Sequence, residues 1–211
     1  TGLEASKYCF SASNRTYTSL TNTTAVPGIG SADDDALSDA ITLQFPFTFG
    51  SNVYTDVRVS SNGWLTFGSP TISATQNYTN TAVNAGVSKP ILMPLWDNLK
   101  CTFAPIYVTD GVAPNRIFKV EWYRQKWDNT SPANVITFEV WLYERSNKIE
   151  YHYSPGGGSI KSPSATIGIY DANGNYNFVA PYRVNPVSYS DQILDQLTNN
   201  RFLGNFSTTL K

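Results

Sequence analysis

The chain has 211 residues, 41% hydrophobic, 14% aromatic and only 15% charged, and its 15 basic and 16 acidic residues leave a net charge of -1. That length suits one domain or a domain with a tail, and the absence of a Lys/Arg cluster excludes the electrostatic footprint that nucleic acid or an anionic membrane needs. No apolar run approaches the roughly 20 residues that span a bilayer, so direct membrane insertion is excluded, and solubility rests instead on 62 Ser, Thr and Asn residues.

The sequence opens at Thr1 without a methionine, which reads as a mature chain that has lost a targeting segment. Period-two alternation dominates, and no segment before residue 188 carries a 3.6-residue apolar repeat, so the chain is all-β. Asp33, Asp34 and Asp35, with Asp39, concentrate carboxylates in an early loop, readable as a solvated acidic loop or as a calcium site. Strand patterns follow at 40–49, 53–60 and 64–67, with Ser61-Asn62-Gly63 supplying left-handed turn positions between the last two. Further strands are predicted at 91–96, 116–126, 135–144, 148–153, 165–170 and 176–180, with turns at Ser146-Asn147 and at 172–175. The Gly- and Pro-rich stretch 154–164 is a loop, because strand patterns resume at once. Strands at this spacing without intervening helices predict an antiparallel β-sandwich or jelly roll over residues 1–187. The tail, 188–211, changes character: Ser190-Asp191 caps a short predicted helix carrying Ile193, Leu194 and Leu197, and Phe202, Leu203 and Phe206 follow. It packs on its own domain or on a neighbouring subunit.

Alternation assigns faces. Phe118, Val120 and Trp122 point inward with Ile136, Phe138, Val140 and Leu142, and with Ile149, Tyr151 and Tyr153. The opposite parity gives three neighbouring strands an outward surface carrying Glu121, Tyr123, Glu139, Trp141, Tyr143, Glu150 and His152. Three readings of that surface stay open. Cross-strand pairs of this kind commonly do no more than cover a sheet. Tyr123, Glu139, Trp141 and Tyr143 are also the candidate ligand-binding set of a carbohydrate-binding module. A jelly-roll glycosidase, in turn, places an acid and a nucleophile roughly 5 to 9 Å apart on adjacent strands, for which Glu121, Glu139 and Glu150 are the candidates.

Other chemistries lack their parts. A Ser-His-Asp triad has only His152 as base and no Gly-x-Ser-x-Gly elbow, and one His with two distant cysteines makes no zinc site. Gly156-Gly157-Gly158 is followed by neither Lys-Ser/Thr nor a helix, so no phosphate loop is present. Asp171, Asn173 and Asn175 have the one-three-five spacing of a calcium loop but lack its glycine and closing glutamate, and read as a hairpin turn. No cofactor other than calcium is indicated. Cys9 and Cys101 are either one disulfide closing a long loop or a pair of free thiols. Asn14, Asn22, Asn77, Asn129 and Asn205 head Asn-x-Ser/Thr acceptors, either polar loops or glycan carriers on an exported chain.

Two stretches are more specific. The first runs Phe45-Pro46-Phe47-Thr48-Phe49-Gly50, Tyr54-Thr55 and Val57 to Gly68, then Lys89-Pro90-Ile91-Leu92-Met93-Pro94-Leu95-Trp96-Asp97. The second combines Ala113 to Trp122, Phe138 to Glu144 and Ala165 to Ile169. Together they resemble nidogen-type extracellular β-sandwich modules, most closely the version in secreted surface proteins of Bacteroidota. The opening Tyr8-Cys9-Phe10-Ser11-Ala12-Ser13 is similar to the first strand of that module. The resemblance implies an antiparallel module outside the cell or at its surface, used in adhesion, with no catalytic residues to carry over. The function expected is a non-enzymatic structural or adhesive surface protein whose partners are copies of itself or another surface protein, with glycans as a further partner. A strand from about Ala5 to Leu20, or the tail from Arg201 to Leu210, is expected to complete the sheet of the next subunit in a filament.

Overall fold

The computed structural model describes residues 4–5, 8–14, 16–68, 78, 90–126, 134–155, 165–180 and 206–210. They form two antiparallel sheets. The strands, in chain order, are β1 Phe10–Asn14, β2 Thr24–Ala25, β3 Ile41–Phe49, β4 Asn52–Val59, β5 Leu65–Phe67, β6 Ile91–Trp96 and β7 Ile106–Asp110. Then come β8 Ile117–Lys126, β9 Asn134–Tyr143, β10 Ile149–Pro155, β11 Thr166–Tyr170, β12 Tyr176–Ala180 and β13 Phe206–Leu210. The larger sheet has the order β1-β13-β10-β9-β8-β7-β2, the smaller β12-β11-β6-β5-β4-β3.

The inward parity read from the sequence is the parity observed. Phe118, Val120, Trp122, Ile136, Phe138, Val140, Leu142, Ile149, Tyr151 and Tyr153 are all buried in one cluster with Phe45, Phe47, Phe49, Val57, Leu65, Leu92 and Ile167 of the smaller sheet. Within this cluster Trp122 stacks on Phe138 and Phe47 on Phe67, with ring centroids 5.0 and 5.6 Å apart. Aromatic side chains of the larger sheet carry polar tips that an apolar core cannot leave unpaired. Each reaches a backbone carbonyl of the opposite layer: Trp122 Nε1 donates to Ser60 (2.8 Å), Tyr151 to Gly168 (2.8 Å) and Tyr153 to Pro94 (2.6 Å). These bonds fix how one sheet sits on the other. A second cluster, Trp64, Ile91, Met93, Trp96 and Tyr170, gathers around β6, which is buried along its whole length.

The Ser60–Gly63 turn is held from three sides. Asn62 Oδ1 accepts from the Leu99 N–H (2.8 Å), and its Nδ2 donates to Asp35 (2.9 Å). The Ser61 hydroxyl donates to the Asp34 carbonyl and accepts from the Ala36 N–H. Gly63 has φ +76°, and a Cβ there would collide with the Leu95 carbonyl oxygen and lie 2.9 Å from Leu99 Cδ1. The predicted Ser146-Asn147 turn also forms, with Asn147 at φ +50° and its Oδ1 accepting from the Thr48 N–H across the layers (2.7 Å).

Of the two placements open for the tail, the described part takes the one on its own domain. Its predicted helix falls outside the described residues, and Phe206–Leu210 is a strand at an interior place in the chain's own larger sheet. The short strands β2 and β7 lie outside the predicted strands. Of the two readings of Cys9 and Cys101, the disulfide is not formed: both thiols are free, Cys9 exposed and Cys101 buried. The burial of Cys101 beside Asp33 and Asp34 pushes its thiol up to about 12, which leaves it a poor nucleophile for disulfide formation.

Gly63→Ala combines a left-handed backbone position with a backbone collision, so it is expected to cost on the order of 4 kcal/mol. Urea unfolding of the variant against the parent measures this, and a loss below about 1 kcal/mol would show that the turn relaxes easily.

Candidate functional site

Topology dictates what covers the larger sheet. β1 and β2 lie at its opposite edges, yet they are consecutive in sequence. Six interstrand spacings of about 4.8 Å amount to roughly 29 Å, while the ten residue steps from Asn14 to Thr24 reach at most about 35 Å. The connection therefore has to cross the sheet nearly straight, over the strands between. It crosses the outward face, where the Tyr17 hydroxyl donates to Glu121 Oε1 (2.6 Å) and the Leu20 N–H to Glu121 Oε2 (3.3 Å).

This strap corrects the expectation of an exposed outward surface. Glu121 and Glu139 are each 1% exposed, and Glu150 and His152 are also buried. Glu121 and Glu139 stand directly opposite each other in the β8–β9 register, as His152 and Glu139 do across β9–β10. The Trp141 indole N–H donates to Glu139 Oε2 (2.6 Å), whereas Glu139 Oε1, also buried, has no hydrogen-bond partner among the described residues. The Trp141 ring stacks on His152 at 4.2 Å, and Lys119 Nζ sits 4.1 Å from the indole centroid while bonding Asp110 (2.7 Å). Glu150 accepts from Tyr143 (2.6 Å) and Lys148 (2.7 Å), and from His152 Nε2 at 3.0 Å, where the ring donates because a carboxylate only accepts.

The two flanking carboxyls are driven in opposite directions. Burial and then the charge of Glu121 push Glu139 up to about 7, against the opposing influence of Trp141, Tyr17 and Lys119. Tyr17 stands near Glu139 as well, but its single proton is committed to Glu121. Burial and the two carboxylates push the Tyr17 hydroxyl far above its ordinary value, so it stays a donor. Burial alone would raise Glu150, but bonds from His152, Lys148 and Tyr143 outweigh it and hold this carboxyl below the usual range.

Between strap and sheet lies a cavity of about 250 Å³ lined by Thr16, Thr18, Ser19, Leu20 and Thr21 above and Asp110, Lys119, Glu139, Trp141 and His152 below. Of the candidate ligand-binding residues, Glu139 and Trp141 meet here. Tyr123 instead lies beside Phe103, ring centroids 5.4 Å apart, and Tyr143 lies under Lys148 Nζ at 3.7 Å. Tyr17 and Lys119 were missed: the strap carries no periodic signal, and Lys119 reads as an ordinary outward residue.

Asp33 accepts from the Gly30 N–H (2.7 Å), Asp35 from Asn62, and Asp34 lies 4.0 Å from Lys100. Among the described residues no group of three or more His, Cys, Asp or Glu side chains is placed to hold a metal ion. Asp171 makes the predicted turn, accepting from the Asn173 and Asn175 N–H groups, and it also accepts from the Ala5 N–H (3.0 Å). Of the glycosylation candidates, Asn22 is exposed with φ +54° and Asn14 lies in β1. Asn77, Asn129 and Asn205 lie outside the described residues.

An antiparallel sandwich whose larger sheet is strapped from edge to edge, with acidic side chains under the strap, defines an all-β module. The family described as NIDO related matches residues 7–203, and the chain belongs to it. Such nidogen-like modules are of an extracellular, non-catalytic type. No curated protein and no solved structure matches the chain. Among the described residues no helix is long and apolar enough to cross a membrane.

The raised Glu139 carboxyl makes stability depend on pH near neutrality. A group that holds its proton more tightly when folded stabilises fully below its unfolded value near 4.5, and that contribution is lost as pH rises through about 7. The parent is therefore expected to lose on the order of 3 kcal/mol between pH 4.5 and 8 through this group. Glu139→Gln keeps an acceptor for Trp141 and removes the slope. Denaturant midpoints at pH 5, 6, 7 and 8 test it, and an unchanged slope in the variant would assign the effect elsewhere.

Proposed function

We propose that the chain is a non-enzymatic extracellular surface module with a structural and adhesive role, joined to copies of itself by exchange of β13. The observation that carries this is the place of β13. It pairs over all five residues with β1 on one side and β10 on the other, and residues 181–205 separate it from β12. Loop-closure entropy grows only slowly with such a length, so the same pairings form at similar local cost whether β13 comes from its own chain or a neighbour. Without β13, β1 and β10 both present unpaired edges, which favour strand addition.

The carboxylates of the outward face support a non-catalytic role. Both oxygens of Glu121 accept bonds from the strap, and Glu150 is held by Lys148, His152 and Tyr143. A glycosidase needs two working carboxyls, an acid and a nucleophile or base; with Glu121 and Glu150 committed to bracing the chain, Glu139 is left without a second.

Light scattering on the full chain should show a concentration-dependent dimer or longer assembly. A variant ending at Asn205 should lose roughly 10 °C in Tm and regain it on binding a peptide of residues 201–211. A strictly monomeric full chain, together with a truncated chain that keeps its Tm and ignores the peptide, would rule out strand exchange.

A further inference from the structure

We infer that the cavity between the strap and the larger sheet is a binding site for one uncharged, hexose-sized sugar unit, with Glu139 Oε1 as the acceptor for a sugar hydroxyl. This deepens the adhesive reading by naming a ligand class, while its readout is independent of assembly. Glu139 carries the argument. It is 1% exposed, it lines the cavity, its Oε2 is taken by the Trp141 indole, and its Oε1 has no hydrogen-bond partner among the described residues. A buried acceptor left in that state is unfavourable unless something donates to it.

The surroundings select the donor. A cation is disfavoured because the Lys119 ammonium already sits over Trp141, 4.1 Å from its centroid, and bonds Asp110. An anion is disfavoured because Asp110 and Glu139 both line the cavity. A neutral polyol meets acceptors and donors together: the Glu139 oxygen, the Lys119 ammonium and the hydroxyls of Thr18 and Ser19. The cavity of about 250 Å³ has room for several waters, and so for a single pyranose ring in their place. Trp141 serves as a wall of this site. Its ring is flanked from β8 by Lys119 and from β10 by His152, so recognition is polar and sugar stacking on its face is not required.

Ionised Glu139 is the stronger acceptor, so binding should tighten as pH rises through about 7, where the free carboxyl titrates. The experiment follows the Trp141 indole N–H resonance while the full chain is titrated with methyl glycosides of glucose, galactose, mannose, xylose, fucose and N-acetylglucosamine. At least one should shift it saturably, with a midpoint on the order of 1 mM, the weak range suited to a ligand of this size. Glu139→Gln should weaken that binding roughly tenfold or more. Ser19→Trp, which fills the cavity from the strap and leaves Glu139 in place, should abolish it.

An oligosaccharide ending in the same residue distinguishes a free sugar from the end of a glycan. Equal midpoints place the terminal unit in the cavity, and binding of the oligosaccharide that survives both substitutions places it elsewhere and overturns the inference. So does silence from the whole panel at about 100 mM, or a saturable shift with methylammonium in place of the glycosides. Assembly and sugar binding fail separately, since light scattering reads the first and the indole resonance the second.

Discussion

The two sheets are locked to each other through the carbonyl of Ser60, which receives the Trp122 indole proton from the opposite layer. Ser60 opens the turn that Asn62 and Gly63 complete, and Asn62 in turn holds the Leu99 N–H and the acidic loop at Asp35. One hydrogen bond thus joins the middle of β8 to the β4–β5 connection and, through it, to the segment after β6. Because Trp122 is locked inward, the parity of β8 is set, and Glu121 is directed to the outward face. A shift of one residue in that register would exchange the core for the site.

The outward face then acquires its character from a length constraint. A chain that leaves β1 at one edge and enters β2 at the other must cross the sheet, and it does so with almost no slack. Glu121 is the fastening point, through Tyr17 and Leu20. Two carboxylates opposite one another on neighbouring strands repel. The larger sheet keeps this pair by leaving Glu121 as the acceptor for the strap and raising Glu139 until it shares its proton near neutrality. Desolvation by burial is the leading cause, and the strap covers this face, so one crossing segment both closes the cavity and adds to the burial of the acid that lines it.

Much of the fold was legible because β-structure writes itself with period two. Every inward residue assigned on β8, β9 and β10 is buried in the core, and the Asn62-Gly63 and Ser146-Asn147 turns occur where left-handed residues stand. The site was half legible. Glu139 and Trp141 were placed on one face by parity alone, yet that face was taken for an open surface. Nothing in residues 16–21 signals a strap, because its position follows from where β1 and β2 sit in the strand order, a non-local fact. For β13 a pairing segment within 201–210 was legible but its place was not: which sheet it completes is again a non-local fact, set by its pairing with β1 and β10.

Assembly and binding meet at β13. Thr209 and Ser207 lie opposite Glu150 and His152 on the edge of β10, while Trp141 and Glu139 lie opposite the same pair on its other edge. A β13 from a neighbouring chain in this register leaves the wall of the cavity unchanged. Its effect falls on β1, whose only strand partner among the described residues is β13. The strap starts from β1, so its tension against Glu121 depends on β13 being present. Upstream, the tethers among the described residues are Ala5, bonded to Asp171, and Tyr8, buried against Phe49 in the core. Removing β13 therefore lengthens the unanchored chain at one end of the crossing and releases the condition that kept the strap straight. The cavity is complete whenever the sheet is complete, from whichever chain the last strand comes.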